Sequence, residues 1–209
     1  MEEKKTAHQL LADSIKFVLV GTTHPGNIGA SARAIKTMGL SKLFLVNPKD
    51  FPNDVAFYRA KAAKDVLEQA EIHPDLFSAT KDCELIIGTS ARNRKIPWPL
   101  VSPREASQEI VQALQQGVNK VAVVFGREDR GLTNEELGMC NLHVHIPTNE
   151  EYSSLNLSQA VQILSYETRL AILEHYDLVE KPEWDVELAD NEQTERLITH
   201  LDELMQEVN

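Results

Sequence analysis

Four short clusters hold most of the side chains with chemical reach in this chain of 209 residues. The first is Asn27-Ile-Gly29-Ala-Ser-Ala-Arg33, preceded by His24-Pro-Gly. Gly29 and Arg33 are four residues apart, so on a helix they share one face, one turn apart. A glycine beneath an arginine there leaves room for a substrate backbone to approach. The second cluster is Gly88-Thr89-Ser90-Ala91-Arg92-Asn-Arg94-Lys95, and the third is Gly126-Arg127-Glu128-Asp-Arg130-Gly131-Leu132. The fourth follows Ile146-Pro147 and reads Tyr152-Ser-Ser154-Leu155-Asn156-Leu157. Hydroxyls, amides and backbone N–H groups in such loops suit a small polar ligand held without a metal.

Other chemistries lack their residues. The dinucleotide fingerprint GxGxxG and the phosphate-binding GxxxxGK[ST] are both absent. His143 and His145 share a strand face, but two histidines alone make a poor metal site. Cys83 and Cys140 are isolated, with neither a CxxC pair nor a disulfide framework, which fits a reduced cytoplasm.

The elements that must position these clusters alternate along the chain. Short apolar runs at 15–20, 42–46, 84–87, 121–125 and 143–146 read as strands. Segments 27–38, 59–70, 103–116 and 156–175 have helical patterning, with Asn27 as a candidate N-cap and Gly39 as a C-terminal stop. Ile28, Ala32, Ile35 and Met38 form the apolar stripe of the first of these. Alternation of this kind predicts an α/β fold, a mainly parallel sheet with helices on both faces. Gly21, Gly88 and Gly126 each follow a strand run, and ligands of open α/β sheets bind outside the carboxyl ends of strands. The spacing predicts one domain over 1–176, an acidic linker over 177–193 containing Pro182, and an amphipathic helical extension over 194–209 that carries Leu197, Leu201, Leu204 and Val208.

Net charge is −11 and 42% of residues are hydrophobic. There is apolar material for a core, but no run approaches the roughly 18–20 residues of a membrane span. No export signal follows Met1. Overall acidity argues against nucleic acid as a partner. The distribution argues the other way, because acids crowd 174–209 while bases cluster in 24–64 and 92–104.

Taken together, Asn27-x-Gly29-x-x-x-Arg33, Thr89-Ser-Ala-Arg92, Phe125-Gly-Arg-Glu128 with Gly131-Leu132, and Tyr152-Ser-Ser-Leu-Asn-Leu157 resemble the SPOUT 2′-O-methyltransferases. Arg33-Ala-Ile-Lys-Thr-Met-Gly-Leu40 and Ile96-Pro-Trp-Pro-Leu100 narrow the resemblance to the TrmJ group, tRNA (cytidine(32)/uridine(32)-2′-O)-methyltransferases. The resemblance runs from about Phe17 to Leu173. It implies a C-terminal trefoil knot, a homodimer with its active site at the interface, and S-adenosyl-L-methionine (AdoMet) as methyl donor. By position it puts the donor against Thr89, Ser90, Ala91, Gly126, Arg127, Glu128, Ile146, Ser154, Leu155 and Asn156. Arg33 would reach the methyl from the neighbouring subunit, with Asn27, Glu128, Ser154 and Asn156 completing the catalytic set. Arg33, Arg92, Arg94, Lys95 and Arg127 are the candidate RNA contacts. No metal is expected. Two other readings stay open: a 2′-O-methyltransferase acting on rRNA or another tRNA position, and an idle RNA-binding or dimerisation module.

Overall fold

The computed structural model describes residues 7–90, 100–149, 151, 153–176, 178 and 189–207. Ala91, Arg92, Arg94, Lys95, Ile96, Tyr152, Pro182 and Val208 therefore lie outside the described residues. The chain divides into two compact units, Met1–Leu178 and Val179–Asn209.

The first unit opens with α1 (Ala7–Asp13), β1 (Ile15–Val20), α2 (Pro25–Thr37) and β2 (Lys42–Val46). Next come α3 (Asp54–Ala60), a 3₁₀ turn (Lys61–Ala63), α4 (Lys64–Glu68), β3 (Glu71–His73) and α5 (Leu76–Thr80). The remainder is β4 (Leu85–Thr89), β5 (Leu100–Val101), α6 (Pro103–Gln115), β6 (Val121–Phe125), α7 (Asn134–Gly138), β7 (Leu142–Val144) and α8 (Leu157–His175). The seven strands form one parallel sheet in the order β3-β2-β1-β6-β4-β7-β5.

β1 and β6 are buried along their whole length because both faces of the sheet are covered. Their alternate residues divide between two cores. Phe17, Leu19, Val121, Val123 and Phe125 pack with α1, α2, α3, α4, α6 and α8, and Phe17 stacks on Phe125 at 5.8 Å. Val18, Val20, Ala122 and Val124 face the five-residue helices α5 and α7 and Leu132. Helices thus cover both faces, but unequally. Lys16 interrupts the apolar run of β1 and is buried. Its Nζ bonds Asp82 at 2.7 Å and the Ala79 carbonyl at 3.1 Å, and lies 4.4 Å from the Phe44 ring centroid. A buried ammonium is tolerable only when paired in this way.

Four expectations change. Helix α2 begins at Pro25, with His24 as the cap residue, so Asn27 sits inside the first turn and is not the N-cap. Proline preset for helical φ supplies that start. The expected helix over 59–70 is broken at Lys61, whose φ is +55°. Gly88 lies within β4 and does not follow it. Finally, Gly29 offers no space to a substrate. A Cβ there would stand 2.0 Å from the Ala56 carbonyl oxygen, because α3 crosses α2 at that point. Gly39 does end α2, at φ +77°, with its N–H bonded to the Lys36 carbonyl. Arg169 of α8 donates to the Met38 carbonyl at 3.1 Å, pinning the same helix end to α8.

The second unit contains α9 (Asn191–Glu207). It starts three residues before the expected 194 because Asp190 caps it: Gln193 N donates to Asp190 Oδ1 at 2.7 Å, and Asp190 N donates to Gln193 Oε1 at 3.1 Å.

Candidate active site

The carboxyl ends of β4, β6 and β7 open into one cleft of about 280 Å³. This lies near the lower end of small-molecule pockets, about 300–1,000 Å³. Thr89 and Ser90 come from β4 and its end, and Gly126, Arg127 and Glu128 come from the loop after β6. Ile146, Ser154 and Leu155 close the side after β7. The wall mixes hydroxyls and backbone with an apolar strip of Leu132, Val144, Ile146 and Leu157.

The loop after β6 is cross-braced by its own backbone. Arg127 N donates to the Gly131 carbonyl at 3.2 Å, and Gly131 N donates back to the Arg127 carbonyl at 2.8 Å. The strand end therefore doubles over itself. A Cβ on Gly126 would stand 2.1 Å from Leu132 N, so only glycine fits beneath the fold.

Glu128 is the electrostatic centre. Its Oε2 accepts from Thr23 N and Thr23 Oγ1, both at 3.1 Å, and its Oε1 accepts from His24 N at 3.3 Å and Asn27 Nδ2 at 2.9 Å. Burial pushes this carboxyl upward. The Asn27 amide, its own backbone, and the Thr23 and His24 amides outweigh that, and the net result lies below the ordinary carboxylate value. Asn27 then spends its other atom on α8: Asn156 Nδ2 donates to Asn27 Oδ1 at 3.0 Å. Asn156 also caps α8, its Oδ1 accepting from Ser158 N at 2.9 Å. One run of bonds, Asn156 to Asn27 to Glu128, joins three segments far apart in sequence.

The expected site residues fall into three groups. Thr89, Ser90, Gly126, Arg127, Glu128, Ile146, Ser154 and Leu155 line the cleft. Asn27 and Asn156 do not line it but hold Glu128 and the start of α8. Arg33 is exposed on α2 and outside the cleft wall of its own chain, and among the described residues its guanidinium has no partner. Positions 27 and 33 lie about 120° apart around a helix, so Arg33 points to a different side of α2 from Asn27.

Arg127 has a task other than the expected RNA contact. Its guanidinium makes a two-pronged pair with Glu136, at 2.9 and 3.0 Å, and packs over Gly21. That bond is the main reason its pKa lies above the ordinary arginine value. Glu136 also closes the capping box of α7, so Arg127 ties the cleft loop to that helix. Thr89 Oγ1 donates inward to the Val124 carbonyl at 3.0 Å, so its side chain braces β4 against β6. His143 Nε2 and His145 Nδ1 lie 3.0 and 3.2 Å from backbone carbonyls, and no cluster able to hold a metal ion occurs among the described residues. Burial pushes the Cys140 thiol up to about 12, which favours the neutral thiol over the thiolate.

Thr23 is the residue that sequence reasoning missed. Its side chain and its amide together supply two of the four hydrogen-bond donors to Glu128, yet a Thr-Thr pair after a strand carries no signal by itself.

Residues 14–166 match the model of the SpoU rRNA Methylase family. The chain belongs to that family. It is 52% identical over 163 residues to the tRNA (cytidine/uridine/adenosine-2′-O-)-methyltransferase TrmJ of Pseudomonas aeruginosa (strain UCBPP-PA14), covering 78% of this chain and 63% of that protein. It is 47% identical over 192 residues to the tRNA (cytidine/uridine-2′-O-)-methyltransferase TrmJ of Photorhabdus laumondii subsp. laumondii, covering 92% of this chain and 79% of that one. The crystal structure of TrmJ from Z. mobilis ZM4 superposes with a TM-score of 0.70 at 32% identity, covering 92% of this chain and 79% of that chain. The SpoU match spans the whole cleft, from β1 to the middle of α8. Among the described residues, no helix is long and apolar enough to cross a membrane.

Proposed function

We propose that this chain transfers a methyl group from AdoMet to the ribose 2′-hydroxyl of a tRNA pyrimidine nucleotide, at position 32 of the anticodon loop. The observation that carries the reading is the Asn156–Asn27–Glu128 run of bonds beside the strand-end cleft. The names of the TrmJ relatives support tRNA as the substrate. The wall of the cleft fits the donor. Apolar Leu132, Val144 and Ile146 suit an adenine face, and the Ser90, Ser153 and Ser154 edges suit its polar tail. We further propose that the cleft loops are threaded as the trefoil knot of this class, and that the protein is cytoplasmic.

AdoMet supplies an electrophilic methyl on a positively charged sulfur. The chain's own residues must then align the ribose oxygen for in-line attack and accept the hydroxyl proton. Arg33 is the residue we assign to the ribose. A guanidinium is a planar, five-donor cation with no acceptor, so it serves by holding a phosphate and orienting the sugar rather than as a base. It points away from its own chain's cleft-supporting face, which supports a homodimer in which each Arg33 serves the cleft of the other copy. Asn27 and Asn156 hold the loops in register, and Glu128 fixes the α2 start against β6. Ser154, exposed at the cleft edge, is the candidate to contact the incoming nucleotide.

The reading is tested with purified protein, unmodified tRNA and labelled AdoMet. Label in tRNA, in ribose and absent from rRNA fragments, is the expected result. Label in rRNA fragments alone would move the substrate, and AdoMet binding without transfer to any RNA would leave an idle module.

A further inference from the structure

Where α3 crosses α2 at Gly29, it brings a strip of its own surface beside the helix that bears Arg33. Tyr58 on that strip is 69% exposed, a large aromatic with its ring to solvent. Lys61 Nζ lies 4.0 Å from the centroid of this ring. The left-handed φ of Lys61, +55°, is the turn that ends α3 there. The stem of Arg59 runs along the glycines of α2: a Cβ on Gly29 would stand 2.9 Å from Arg59 Cβ, and one on Gly26 would stand 3.9 Å from Arg59 Nε. The guanidinium therefore lies by the first turn of α2, the turn that carries Asn27. Arg59 and Lys64 are both exposed, and among the described residues neither has a hydrogen bond or ion pair. Residues 57–64 contain three basic side chains and no acid, and the following Asp65 is neutralised by Lys36, which donates to it at 2.7 and 2.8 Å. This concentration stands out in a chain of net charge −11.

We propose that Tyr58, Arg59, Lys61 and Lys64 form an RNA contact outside the methyl-transfer cleft. The three bases bind backbone phosphates next to the nucleotide that Arg33 orients, and the Tyr58 ring stacks on an unpaired base. Cations interleaved with an open aromatic face match single-stranded RNA, whose phosphates and base faces offer both partners. A protein partner would call for a larger apolar anchor than the strip provides beside Val55. The inference rests on the reading that RNA is the substrate.

The test is binding of unmodified tRNA, followed by fluorescence anisotropy over a range of salt. The proteins are wild type, Arg59→Glu/Lys61→Glu, Tyr58→Ala, and Lys81→Glu as a control beyond α5 on the other face of the sheet. The double variant is expected to bind roughly tenfold more weakly or worse, with a salt slope smaller by about two. Tyr58→Ala is expected to lose several-fold in affinity with its slope kept, and Lys81→Glu to match wild type. Melting temperature, AdoMet affinity and sedimentation mass are expected to stay unchanged throughout. Wild-type affinity and slope in both strip variants, with methyl transfer intact, overturn the strip and leave the function standing. A loss of binding that comes with a changed sedimentation mass assigns the face to a protein contact and overturns it too. A wild type that neither binds nor methylates tRNA removes the RNA reading and the strip together.

Discussion

Asn156 Nδ2 donates to Asn27 Oδ1 at 3.0 Å across 129 positions of sequence, and it joins the start of α8 to the start of α2. Because Asn27 passes its other atom to Glu128, one amide couples three segments. Replacing Asn27 by Ala removes both bonds and leaves a partly buried carboxylate with fewer donors. We expect a loss of about 2 kcal/mol in stability and a fall in kcat. Chemical denaturation alongside single-turnover methyl transfer checks this, and unchanged values for both would mean that the amide is incidental.

Thr23 is expected to act as a positioning residue. Thr23→Val keeps the backbone donor to Glu128 but deletes the hydroxyl bond. We expect kcat to fall about tenfold while the KM for AdoMet holds, and Thr23→Ser to restore the rate. Equal rates for the Val and Ser variants would remove this role.

The pH dependence of stability follows from the carboxyls. Glu128 and Glu136 both titrate below the ordinary value of 4.5 when folded, held down by hydrogen bonds that outweigh burial. Each therefore binds fewer protons folded than unfolded. Its stabilisation is whole above pH 4.5 and is lost as pH falls through the depressed value. Thermal melts on the acid side should show Glu128→Gln losing stability less steeply than wild type. Parallel acid profiles would show that this carboxyl contributes nothing.

Gly29→Ala tests the crossing of α2 and α3. The added methyl would meet the backbone carbonyl oxygen of Ala56 at 2.0 Å, and neither a Cβ nor a carbonyl has a rotamer that relieves it. We expect a cost of about 3 kcal/mol or more. A variant as stable as wild type would mean that the helices separate freely.

The legible parts of this chain were those with strong local signals. β1, β2 and β6 carry nearly continuous apolar runs because they are buried on both sides, and their bounds can be read directly. β3 and β5 escaped notice, since three and two residues at sheet edges leave no period to read. Asn27 looked like a cap because asparagine before an apolar stripe usually is one; Pro25 was the better start signal. The space above Gly29 is filled by a second helix, α3, and no local sequence signal marks that crossing. The strand-end loops were recognisable from their residue types. The partners of Glu128 were not, since they lie 101–105 positions away.

Methyl transfer to a ribose of the anticodon loop, with Arg33 orienting the sugar, can be tested directly. The most direct measurement is incubation of unmodified tRNA with the protein and labelled AdoMet, followed by mapping of the modified nucleotide, for wild type and Arg33→Ala. We expect one 2′-O-methyl group, on pyrimidine 32, with wild type. We expect a rate at least about a hundredfold lower for Arg33→Ala, with AdoMet affinity preserved. Label on a base, label at an unrelated position, or a fully active Arg33→Ala protein would contradict this reading.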